Sequence, residues 1–335
     1  MERNIVVCWQ GDFCTSSRCV YYGAKTRNEY RLTRFGRGFP FLQSEYVGSL
    51  LVLVRSSVDH YAAFVLTHDE DIEAFFDTFS LSFGETSRLI DSNQNQHGIC
   101  GEEALADCLA QVGIAFDVMP KTGPLAAAAE CWFNTIHGLS PELISRNSDG
   151  VLLGWVQAEY DIFRRIEENV YQPIYTKPFS SCQELIEFAN TILNRRKSRA
   201  GLSLELHLRS IFDYSEITYE AQAITEAHKR PDFIFPSEAA YHDAKFPLSK
   251  LFSLAVKRTC KDRWRQVINE ADRLKVKYLF TLQEGVSQNQ LREMELEGVR
   301  LVVPAPNLSA FPSGNLGNLI TLGQFLQLLR CAQAK

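Results

Sequence analysis

From residue 231 onward the chain alternates two kinds of segment. PDFIFP (231–236), LFSLAVK (251–257), KYLFTL (277–282) and VRLVVP (299–304) are short apolar runs of strand length. Between and after them, KDRWRQVINEADRL (261–274), SQNQLREMELEG (287–298) and TLGQFLQLLRCA (321–332) have the length and apolar spacing of helices. Such alternation predicts an α/β core, a central mixed sheet flanked by helices.

The rest of the chain is organised differently. Residues 1–80 read as β-rich, with SLLVLV (49–54) and YAAFVL (61–66) separated by a polar turn. HDEDIEAFFDTF (68–79) follows as a short helix whose acidic first turn suits the helix dipole. Between Gly84 and Gly101 the sequence turns polar, with SNQNQHG at 92–98, and this is the linker candidate. An Ala-rich helix is predicted near 102–112 and irregular structure from there to 150. Helical periodicity is strong from Trp155, with further helices expected over 182–196 and from Ser203 to Phe212. The reading is a small front domain over 1–90, a connecting segment over 91–150 and the α/β domain over 151–335.

Hydrophobic residues make up 45% and charged residues 22%, as in an ordinary globular protein. No apolar run is long enough to span a bilayer, and MERNIVVCWQGD lacks a signal-peptide layout, so a cytoplasmic protein is expected. The nine cysteines include no CxxC pair. Cys8, Cys14 and Cys19, and His97 with Cys100, match no standard zinc spacing, so reduced thiols are expected. A net charge of −5 argues against a surface that coats nucleic acid throughout, but the cations are concentrated. Arg18, Lys25, Arg27, Arg31, Arg34 and Arg37 face only Glu29; Arg195-Arg196-Lys197-Ser198-Arg199 forms a second run, and Lys257 to Arg265 a third.

Three residues suggest chemistry. Asp232 opens one predicted strand, Lys257 ends the next, and Glu270 lies on the helix predicted after Lys257. Glu205, on a preceding helix, is a fourth candidate. Carboxylates of this kind hold Mg²⁺ for phosphodiester hydrolysis, and a lysine orients water and stabilises transition-state charge. The plain alternative is that a strand-end lysine and a helix carboxylate are solvated surface charges. In the usual nuclease pattern an acid stands two residues before the lysine; Ala255 stands there.

The surrounding text is more specific. RRKSRAGLSLELH (195–207), AQAITEAHKRPDFIFPSEAAYHD (221–243), LAVKRTCKDRWRQVINEAD (254–272), LFTLQEGVS (279–287) and REMELEGVRLVVP (292–304) resemble the catalytic domain of the EcoRII restriction endonuclease family. That family is a variant of the PD-(D/E)xK nucleases in which the second carboxylate has moved onto the helix. The resemblance implies that Asp232 and Glu270 bind metal and that Lys257 is the catalytic lysine. It places Glu205 and Tyr241 near the scissile phosphate. It implies that Lys261, Asp262 and Arg263 read CC/GG pairs in the major groove, where cations donate to guanine and an aspartate accepts from cytosine. It further implies a homodimer on double-stranded DNA at a CCWGG-like site, with a central base pair flipped out. Trp155 stands where the family places a pocket residue, usually an arginine; a core tryptophan is the competing reading. A cognate cytosine methyltransferase would protect host sites. A catalytically silent or methylation-dependent protein of the same fold is the alternative.

YYGAKTRNEYRLTRFGRG (21–38) resembles the family's front effector domain, a pseudobarrel shared with plant transcription-factor DNA-binding domains. Its DNA-contacting arm corresponds to Lys25, Arg27, Glu29 and Arg31. A solvated Arg-rich strand pair is the bland alternative. The family's domain carries more residues and a second reading arm ahead of this point, so a shortened effector domain is expected here.

Overall fold

The computed structural model describes residues 2–11, 13–23, 29–86, 90, 101–312 and 316–334. The front is a sheet of five strands, β1 (Glu2–Trp9), β2 (Phe13–Tyr22), β3 (Glu29–Thr33), β4 (Leu50–Arg55) and β5 (His60–Leu66), in the order β3-β2-β1-β5-β4. Only β1 and β5 run parallel. Its small core is Ile5, Val7, Trp9 and Ala63, covered by Phe35, Phe39 and Phe41. The helix expected after β5 is α1 (Asp69–Thr78).

A helical layer follows: α2 (Glu102–Gln111), α3 (Thr122–His137), α4 (Pro141–Arg146), α5 (Ser148–Tyr175) and α6 (Cys182–Tyr214). Two expectations are corrected here. The stretch expected to be irregular before 150 holds α3, α4 and the start of α5. Its alanines give little amphipathic signal because α3 is enclosed; Ala126, Ala128 and Ala129 are all buried. The helices expected over 182–196 and 203–212 are one 33-residue helix, α6. The basic run does not interrupt it, because Arg196 and Arg199 reach Glu167 and Glu159 on α5.

The α/β part is built from β6 (Glu220–Ala221), β7 (Phe233–Phe235), α7 (Glu238–His242), β8 (Phe252–Lys257), α8 (Trp264–Val267), β9 (Lys277–Thr281), α9 (Gln288–Leu296), β10 (Val299–Val303), β11 (Leu319–Thr321) and α10 (Leu322–Gln333). Its six strands lie in the order β11-β10-β9-β8-β7-β6. From β8 to β11 they run parallel, while β6, β7 and β8 pair antiparallel, so the sheet is mixed as predicted. Alternate strand residues serve two cores. Leu254, Val256, Phe280 and Val302 pack with α5, α6 and α10, whereas Ala255, Leu279 and Leu301 pack with Trp264, Leu291 and Met294. Among the described residues no helix is long and apolar enough to cross a membrane.

The expectation of reduced thiols is corrected as well: Cys8 is bonded to Cys14 and Cys108 to Cys131. Cys8 and Cys14 face each other in the β1–β2 register, and Cys108 and Cys131 meet where α2 packs on α3. Neither proximity has a sequence-spacing signature. Among the described cysteines, Cys19, Cys182, Cys260 and Cys331 are free, and His97 and Cys100 lie outside the described residues.

Candidate active site

Asp232 immediately precedes β7, and Lys257 closes β8, its antiparallel neighbour. That pairing brings Lys257 Nζ to 3.6 Å from Asp232 Oδ2. The aspartate is fixed on its other sides. Its Oδ2 accepts the Val256 N–H at 2.7 Å and its Oδ1 accepts from Gln222 Nε2 at 3.2 Å. Gln222 also reaches Glu205 Oε2 at 3.4 Å, so one amide ties the acid on α6 to the acid at the sheet edge. Gln222 has a positive φ of 55°, strained for a residue with a side chain, and its N–H is bonded to the Asp232 carbonyl.

Glu270 enters from the other side. The helix predicted over 261–274 is only the four-residue α8, and Glu270 lies beyond it in a turn that ends at Ala271, φ 49°. Its N–H bonds the Val267 carbonyl. Burial pushes the Glu270 carboxyl up to about 7; Lys257 opposes this and Asp232 adds to it. Glu205 is likewise raised, first by burial and then by Asp232, with Arg209 and Lys257 opposing. Asp232 thus acts on both Glu205 and Glu270, and Lys257 opposes it at each.

This donor set suits a hard divalent cation: its ligands are oxygens, its acids outnumber Lys257, and two of them are held above their ordinary range by burial and mutual repulsion. Among the described residues no three His, Cys, Asp or Glu side chains already stand close enough together to hold an ion.

Tyr241 is buried; its hydroxyl donates to both Glu226 oxygens at 2.6 and 2.7 Å and accepts the Arg273 N–H at 3.1 Å. It therefore buttresses the turn after Glu270, and that hydroxyl is already committed. Lys261, Asp262 and Arg263 precede α8, and their three N–H groups converge on the Asp69 carboxylate of α1 at 3.1, 2.6 and 3.0 Å. Lys261 Nζ bonds Ser49 Oγ at 2.7 Å, and Arg263 Nη1 pairs with Glu73 at 2.9 Å. Asp262 stays half-exposed, 3.6 Å from His68. Trp155 has no exposed surface and donates to Asn134 Oδ1 at 2.8 Å. In this conformation it is a core side chain, unable to stack on an extruded base; enclosure by α3 and α6 is the reason. Glu29 begins β3 and Arg31 lies over the Tyr22 ring, while Lys25 and Arg27 fall outside the described residues.

Sequence reasoning missed Gln222, whose strained φ has no sequence signal, and the acids of α1. Arg258, next to Lys257, is buried against Asp77 at 2.7 Å and Glu73 at 3.2 Å. Nothing in the sequence spacing of the acidic helix and the basic segment pairs them.

Comparison with known proteins agrees with this architecture. Residues 163–326 match the family described as EcoRII C terminal, and residues 3–80 match restriction endonuclease EcoRII, N-terminal. The type II restriction enzyme EcoRII of Escherichia coli is 52% identical over 331 residues, covering 93% of this chain and 78% of that protein. Among solved structures, metal-depleted Ecl18kI in complex with uncleaved, modified DNA superposes with a TM-score of 0.53 at 18% identity, covering 68% of this chain and 84% of that one. That likeness speaks to the fold; the identity to EcoRII speaks to the family. The chain belongs to the EcoRII family of type II restriction endonucleases and is a site-specific deoxyribonuclease.

Proposed function

We propose that the chain hydrolyses phosphodiester bonds of double-stranded DNA at a CCWGG-like site with Mg²⁺, as the nuclease of a cytoplasmic restriction-modification system. The observation that carries this reading is the 3.6 Å approach of Lys257 to Asp232 at the ends of two paired strands, with Glu205 tied in through Gln222. In this reading Asp232 and Glu270 hold the cation, and Glu205 adds negative charge beside them. A divalent cation there supplies charge neutralisation at the phosphate and acidifies water. Lys257 orients the water and donates to the charge that develops on the phosphate. Asp232 is kept in place by the Val256 N–H and Gln222, so it needs no reorganisation as the reaction proceeds. Lys261, Asp262 and Arg263 read base edges, which requires Lys261 and Arg263 to leave Ser49 and Glu73. The active form is a homodimer matching a near-palindromic site, and a cognate cytosine methyltransferase shields host DNA.

Unmethylated plasmid incubated with Mg²⁺ is expected to give discrete fragments whose sequenced ends report both site and cut position. Asp232→Asn and Lys257→Ala should stop cutting and leave specific binding in place. Binding without cutting in any divalent metal would instead favour a silent protein, and cutting of methylated DNA alone a methylation-dependent one.

A further inference from the structure

The basic run on α6 has no part in the site above, yet it lines a cleft. Between the start of α3 and the middle of α6 lies an open depression of about 480 Å³, lined among others by Lys121, Thr122, Asn194, Arg195, Ser198 and Arg199. Among the described residues that line it none is acidic. Arg195 donates to the Tyr171 hydroxyl, a neutral partner, so its charge is not cancelled there. Arg199 is 3% exposed, lies on the rings of Tyr160 and Phe163, and gives one nitrogen to Glu159; its buried Nε has no hydrogen-bond partner.

The end of α3 points the same way. Its N-cap is Lys121, with no side-chain cap and no acid in the first turn. The first helical bond runs from Leu125 N–H to the Lys121 carbonyl, and Pro124 has no N–H, which leaves the N–H groups of Thr122 and Gly123 at the mouth. A side chain at Gly123 would meet nothing, so the mouth is open. Arg199 already has Glu159 as its counter-ion, but a lysine at the positive end of a helix dipole, sharing the cleft lining with Arg195, is unfavourable until an anion joins them.

We propose that this cleft binds a phosphate group, supplied by the DNA backbone beyond the cleaved phosphate. The attribution to DNA rests on the nuclease reading. Ser198 and Glu205 are seven residues apart on one face of α6, about 10 Å of helix rise, so a strand leaving the catalytic acids along α6 passes the cleft. The hydroxyls of Thr122 and Ser198 and the amide of Asn194 add donors suited to phosphate oxygens, and no base edge is read.

The test uses the full chain and the double variant Lys121→Ala/Arg195→Ala, both positions being exposed. Titrated with inorganic phosphate in the absence of Mg²⁺, the wild type is expected to show a saturable site that the double variant lacks. With a duplex carrying long flanks, the slope of log affinity against log salt should be shallower in the variant by about 0.9 for each cleft's phosphate, equally for cognate and unrelated sequences. Trimming the flanks to the recognition site should erase the difference, and single-turnover cleavage by the saturated complex should be unchanged. Loss of phosphate binding with an unaltered salt slope would overturn the DNA attribution and leave free phosphate as the source. If neither measurement moves, the cleft is not a phosphate site. A wild type that cuts no DNA but loses its phosphate site in the variant would sink the nuclease reading and leave the cleft standing.

Discussion

Replacing His207 with glutamine tests the network that fastens α6, the helix carrying Glu205, to its neighbours. His207 has no exposed surface; Nδ1 lies 2.7 Å from Glu130 on α3 and Nε2 3.0 Å from Glu159 on α5. Burial alone would lower the imidazole pKa, but the hydrogen bond to Glu130 and the Glu159 carboxylate outweigh it and push it up to about 9 from 6.5. That difference is worth about 3 kcal/mol. The folded state binds the proton more tightly than the unfolded chain. The contribution is therefore complete below about pH 6.5, declines as pH rises, and is gone above about pH 9. Urea unfolding of wild type and His207→Gln at about pH 6, 7.5 and 9 measures it, because titrations common to both proteins cancel in the difference. The wild-type advantage should shrink by about 3 kcal/mol across that range, with an unchanged m-value. An advantage that stays constant with pH would mean that folding leaves the His207 pKa unchanged, and one that grows with pH that His207 is buried neutral; either result would refute the argument.

Three further outcomes are expected. Arg263→Ala should lose about 1–3 kcal/mol of discrimination between the cognate site and single-base-pair variants, measured as relative cleavage rates; full selectivity would remove Arg263 from the reading set. Because burial holds the Glu270 carboxyl up at about 7, with Lys257 opposing, a cation must displace its proton below that pH. Calorimetric Mg²⁺ affinity should then strengthen by up to about tenfold per pH unit below about pH 7 and level off above it, and Glu270→Gln should flatten that rise. Asp77→Ala strands the buried Arg258 guanidinium with Glu73 alone and should cost about 3 kcal/mol in urea unfolding; a loss well under 1 kcal/mol would show that the pair contributes little.

The strands of the α/β part were legible because β7 to β10 are apolar on both faces, and continuous apolar runs between polar segments are hard to misread. Asp232 and Lys257 sit at the ends of such runs, which is why they were found. Helix limits were less legible. Val267, Ile268 and Leu274 fit one helical face in KDRWRQVINEADRL, yet the chain turns out of the helix before Ala271 adopts a left-handed φ. Nothing in RRKSRAG revealed that α6 runs through it, since the acids that satisfy Arg196 and Arg199 lie on another helix.

Local pattern by itself determined the layer type, the mixed sheet, the acid and the lysine at its edge, and the family, because periodicity and motif are properties of neighbouring residues. Only the tertiary structure decided who faces whom. It bonded Cys8 to Cys14, enclosed Trp155, spent the Tyr241 hydroxyl on Glu226, and set Asp69 against the N–H groups of Lys261, Asp262 and Arg263. Those contacts join residues up to 194 positions apart, and their energies depend on burial and mutual orientation, which exist only once the layers have packed.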